Sequence, residues 1–81
     1  MQTDRIFNFS VVLQTPSLTE QECDALYEAG CDDSTIVTRN DSTFIVFDRE
    51  AESLEDAIRS AAANVRAAGF EVKKVEMAAL V

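Results

Sequence analysis

Residues 34–48 read STIVTRNDSTFIVFD. Two runs of β-branched and aromatic residues, Ser34–Arg39 and Thr43–Asp48, flank the polar trio Asn40-Asp41-Ser42, a tight turn, so the stretch is a β-hairpin. Alternation allows either Ile45 with Phe47 or Phe44 with Val46 as the inward pair; Ile45 and Phe47 are the preferred reading. What lies on either side of the hairpin decides the fold. Upstream, Leu18-Thr19-Glu20-Gln21-Glu22-Cys23 has the form of a helix start. Thr19 is the N-cap, Glu22 the capping-box partner, and Leu18 with Cys23 a hydrophobic staple. Cys23, Leu26, Tyr27 and Gly30 share one face at helical spacing, and Gly30 is the stop. Before that helix, broken from it by Thr15-Pro16-Ser17, Arg5–Gln14 (RIFNFSVVLQ) alternates Phe7, Phe9, Val11 and Leu13 with Asn8, Ser10, Val12 and Gln14, the period of a strand with one buried face. Downstream, Ser53 caps a second helix with the apolar stripe Leu54, Ala57 or Ile58, Ala61, Val65 and Ala68. Gly69 ends that helix, with Phe70 folding back on Val65. Glu71–Met77 is a last strand, at an edge because of Lys73 and Lys74. The order β-α-β-β-α-β, with right-handed crossovers, predicts a ferredoxin-like α+β fold: a four-stranded antiparallel sheet with two helices on one face, residues 1–81 forming a single domain.

The chain has 81 residues, fifteen acids, seven bases, no histidine and two cysteines, for a net charge of −8. So short a domain leaves little room for both a core and a substrate cleft, which argues against an enzyme. Its charge repels nucleic acid and anionic membranes and favours basic proteins. No run reaches the roughly twenty apolar residues of a membrane span, and no signal peptide opens the chain, so a cytoplasmic protein with reduced thiols is expected. Cys23, on the core face, reads as a small hydrophobe, and Cys31, beside Asp32 and Asp33, as an inert thiol. Without histidine there is no base to activate either thiol and no zinc ligand set. Asp32, Asp33 and Asp41 lack EF-hand spacing and read as turn residues. Gly30 and Gly69 are both helix stops, which leaves no phosphate loop, and no cofactor is expected. Aromatic residues of the first strand fall on the core register, which argues against RNA recognition by the sheet.

The distribution of acids is less ordinary. No base stands between Arg5 and Arg39, while Glu20, Glu22, Asp24, Glu28, Asp32 and Asp33 all do. Glu20, Asp24 and Glu28 recur at i, i+4 and i+8 and form a carboxylate stripe opposite the core face. Like charges at that spacing destabilise a helix slightly, and Glu28 opposes the helix dipole. The second helix is charged as stability favours, with Glu55 and Asp56 in its first turn, Arg66 in its last and a Glu55–Arg59 pair. The stripe is either a plainly solvated face or a negative surface shaped for a positive partner. Asp48, Glu50, Glu52, Glu55 and Asp56 extend it, diluted by Arg49.

Glu28-Ala29-Gly30-Cys31-Asp32-Asp33, Phe47-Asp48-Arg49-Glu50-Ala51 and Ser53-Leu54-Glu55-Asp56-Ala57-Ile58 resemble a bacterial family of small ferredoxin-like domains that precede a helix-turn-helix DNA-binding region. The resemblance runs from the first strand to Leu80-Val81. It implies the fold and a regulatory or partner-binding role in a bacterial cell, but not DNA binding, whose residues are not in this chain. In size, charge and architecture the chain is also similar to phage anti-CRISPR proteins, several of which are acidic and occupy the basic channel of a CRISPR effector. That likeness implies a non-enzymatic inhibitor acting as a DNA mimic. Glu20, Asp24, Glu28, Asp32 and Asp33 would meet the Lys and Arg of a nucleic-acid-binding complex, with the protein a monomer or weak dimer. The alternative is a regulatory or oligomerisation module working through its sheet face or an edge strand.

Overall fold

The computed structural model describes residues 4–77. Its elements are β1 (Arg5–Leu13), α1 (Glu20–Glu28), β2 (Ser34–Arg39), β3 (Ser42–Ala51), α2 (Leu54–Ala67) and β4 (Lys74–Met77). They form one sheet in the order β2-β3-β1-β4, antiparallel throughout, the ferredoxin-like α+β arrangement. The apolar ending Ala78–Val81 lies outside the described residues.

The β2–β3 hairpin closes on Asn40 and Asp41, with φ of 52° and 62°. Two consecutive left-handed residues make the primed turn whose twist suits a two-residue hairpin, and Asn and Asp tolerate that region better than other side chains. Ser42 therefore belongs to β3 rather than to the turn. β3 also runs three residues past Asp48, because β1 offers it a partner along its whole length, from Arg5↔Ala51 to Leu13↔Thr43. β4 is shorter than the alternation suggested. It starts at Lys74 and pairs only with Phe9–Val12, although Lys73 N–H already donates to the Val12 carbonyl at 2.8 Å.

The inward face of the hairpin carries Ile45 and Phe47, both fully buried, with Phe9, Val11 and Leu13 of β1 beside them. Phe9 and Phe47 stack, with ring centroids 5.5 Å apart and planes at 15°. Leu26 of α1 and Ala57, Ala61 and Val65 of α2 pack on that same layer, which places both helices on one side of the sheet. The small alanines let α2 lie close over β1 and β3. Val12 points to the other face and is nevertheless 2% exposed, flanked in register by Phe44 and Lys74. Tyr27 departs from its expected core position and is 47% exposed. The stripe of α1 is centred on Leu26, with Cys23 and Ala29 at its borders, and Tyr27 lies one residue, about 100°, past that centre.

Both helices end alike. Gly30 N–H donates to Tyr27 O and Cys31 N–H to Leu26 O; Gly69 N–H donates to Arg66 O and Phe70 N–H to Val65 O. These are the paired bonds of the Schellman motif, each with its glycine at positive φ (119° and 99°). Cys31 and Phe70 then pack back on the core that Leu26 and Val65 enter.

Candidate functional site

α1 carries the carboxylate stripe, and its start is fixed locally. Thr19 Oγ1 accepts from Glu22 N–H at 3.1 Å, and Glu22 Oε1 accepts from Thr19 N–H at 2.8 Å, a complete capping box. Glu22 is thereby spent on the helix. Glu20, Asp24 and Glu28 are exposed, as is Asp32 in the turn that follows. Among the described residues none of these four has an ion-pair partner. No basic residue lies in the last turn of α1.

Asp33 is placed differently. Its carboxylate meets Arg49 side on: Arg49 Nε donates to Oδ2 and Nη2 to Oδ1, both at 2.8 Å. The same guanidinium donates to the Gly30 carbonyl at 2.7 Å, to Asn64 Oδ1 at 2.8 Å and to Ser60 Oγ at 3.1 Å. All five N–H donors of the arginine are used. Its carbon lies 4.9 Å from the centroid of the Phe47 ring, and the side chain is 11% exposed. One residue of β3 thus ties the end of α1, the entry to β2 and the middle of α2. It also supplies, from across the fold, the positive charge that the C-terminus of α1 lacks in its own sequence.

Electrostatics follow from this contact. The Arg49 hydrogen bonds hold the Asp33 carboxyl below its ordinary range, against the opposing effect of partial burial. Burial pushes the Cys31 thiol up; Asp33 and Asp32 add to the rise while Arg49 opposes it. Cys31 is fully buried and Cys23 half-buried, both as free thiols.

The second acidic group divides between faces. Asp48 and Glu50 share the face of the sheet away from the helices, where Asn8 Nδ2 donates to Asp48 Oδ1 at 2.6 Å. Glu55 pairs with Arg59 at 2.9 Å. Arg49 points to the helix side, so it does not dilute this surface, contrary to the reading from sequence order. Its inward direction could be read in the alternation Ile45, Phe47, Arg49; ending the strand at Asp48 hid it. Among the described residues there is no concave pocket and no group of three or more His, Cys, Asp or Glu side chains able to hold a metal ion. No described helix is long and apolar enough to cross a membrane.

The arrangement presents a one-signed helix face held at both ends: by a capping box at its start and by an arginine at its stop. No family model, curated protein or solved structure matches this chain.

Proposed function

We propose that the protein is a non-enzymatic, acidic inhibitor that binds another protein by charge mimicry, blocking DNA access to a basic nucleic-acid-binding complex, with a CRISPR effector as the specific candidate. The observation that carries this reading is α1: Glu20, Asp24 and Glu28 stand exposed in one row with no cation beside them. Asp32 continues the row. Asp33 supports it from behind, fixing the turn through Arg49 rather than offering a free charge. A partner with a phosphate-binding channel would recognise such a row through its Lys and Arg, with fast, salt-sensitive association.

The test is capture of partners from bacterial lysate by the wild-type protein and by the triple variant Glu20→Lys, Asp24→Lys, Glu28→Lys, with circular dichroism to show that the variant is folded. Wild type retaining a nucleic-acid-binding complex that the variant loses is the expected result. Equal capture by both sinks charge mimicry through α1. A second reading, a regulatory or oligomerisation module, draws on the bare edge strand β2.

A further inference from the structure

The two edges of the sheet are built differently. Lys73 and Lys74 guard the start of β4, whereas β2 has no lysine, proline or acidic residue from Ser34 to Arg39. A β-branched edge whose one charge sits at its last residue, Arg39, is weakly guarded against strand addition. In the β2–β3 ladder Asp48 N–H donates to the Asp33 carbonyl at 3.0 Å, and the same register pairs Thr35 with Val46 and Val37 with Phe44. Backbone groups of the odd-numbered residues therefore face β3, and those of Ile36 and Thr38 face away from the sheet.

We infer that β2 pairs with β2 of a second copy, antiparallel and about a two-fold axis, joining two four-stranded sheets into one. This goes beyond the α1 reading and does not depend on it. Symmetry and hydrogen bonding together fix the register. Outward-facing groups must meet outward-facing groups, and the arrangement that uses the whole strand sets Ile36 against Ile36 and Thr38 against Ser34 of the second copy. Thr35 then lies opposite Val37, and Arg39 opposite Asp33 in register. The Asp33 carboxylate is held by Arg49 on the helix side, so the exposed Asp32 next to it is the acid left for Arg39, whose guanidinium lies over Phe44 on the open face. Arg39 is the one base on β2, and Asp32 and Asp33 are the acids at its other end. Antiparallel pairing thus brings Arg39 near Asp32 of the second copy at both ends, whereas parallel pairing sets Arg39 against Arg39. This self-complementarity selects a second copy over an unrelated strand. A charge of −8 on each copy opposes the association, so salt strengthens it.

Sedimentation of the full chain over a concentration series should show a monomer–dimer equilibrium that tightens with salt. Thr38→Pro removes an outward donor without touching β3 and should weaken association about thirtyfold, the worth of one neutral hydrogen bond lost on each side of the axis. Arg39→Asp should also give monomers, and Asp32→Arg added to it should restore the dimer; this pair keeps the test decisive should the proline disturb folding. In a mixed labelled sample, an intermolecular nuclear Overhauser effect between Thr35 Hα and Val37 Hα is expected, because that pair is of the close, non-hydrogen-bonded type. A chain that stays monomeric throughout, a dimer untouched by Thr38→Pro and Arg39→Asp, or intermolecular contacts on α1 instead would overturn the proposal. Reversing Glu20, Asp24 and Glu28 leaves the β2 dimer standing, so its failure and that of the mimicry reading are separable.

Discussion

Among the described residues, Arg49 makes more side-chain hydrogen bonds than any other side chain. Its five bonds reach an acid, a backbone carbonyl, an amide and a hydroxyl drawn from three separate segments. Arg49→Ala leaves Asp33 and the Gly30 carbonyl without their donor and is expected to cost about 3 kcal/mol in urea denaturation. Arg49→Lys keeps the charge but not the fork, and should recover only part of that loss. The contact also sets an acid limit. A carboxyl whose folded pKa is depressed binds fewer protons folded than unfolded. Asp33 therefore stabilises the fold above its ordinary value near 3.8, and that contribution is lost as pH falls through the lower folded value. Asp33→Asn should flatten the acid limb of a stability–pH profile below about pH 5; an unchanged limb would assign it to other carboxylates. Through these bonds Gly30, Asp33 and Arg49 build the junction between α1, β2 and β3.

Within α1, stability and the charge row pull apart. Glu28 sits at the negative end of the helix dipole and four residues from Asp24. Glu28→Lys is expected to raise stability by a few tenths of a kcal/mol, measured by thermal melting, while weakening partner binding. A residue that only solvates the surface would show the first effect without the second. The helix stops give a matched comparison. Gly30 and Gly69 both have positive φ, but a Cβ at Gly30 would stand 2.9 Å from the Asn64 side chain, while at Gly69 nothing lies within 4 Å. Gly69→Ala should cost about 1 kcal/mol, from backbone strain alone. Gly30→Ala should cost clearly more, because Asn64 must give way and release Arg49. Equal losses would show that the Arg49 network tolerates the displacement.

For the whole molecule, net charge makes the two proposed contacts respond oppositely to salt. Binding through α1 to a basic partner should weaken as ionic strength rises, and self-pairing through β2 should strengthen. The triple reversal on α1 changes the charge by +6, from −8 to −2, which removes the first contact and relieves repulsion in the second. Titrating one sample with salt while following partner binding and sedimentation checks both signs. A shared direction would mean that the two contacts are not independent surfaces.

Alternation left the facing of the hairpin open, with Ile45 and Phe47 preferred over Phe44 and Val46, whereas local signals determined the element order, the capping box at Thr19 and both glycine stops, because each of these rests on residues within one turn or one strand of each other. The exposure of the acidic row on α1 was legible for the same reason. Three things waited for the tertiary structure. The end of β3 depended on β1 offering a partner as far as Arg5, and with it went the inward turn of Arg49. Tyr27 lies outside the core because the docking of α1 centred its stripe on Leu26. Asp33 left the free acidic surface because a guanidinium sixteen positions along the chain was brought beside it. Local sequence sets dihedral preference and hydrophobic period, whereas long-range pairing decides which charges meet and which remain in water.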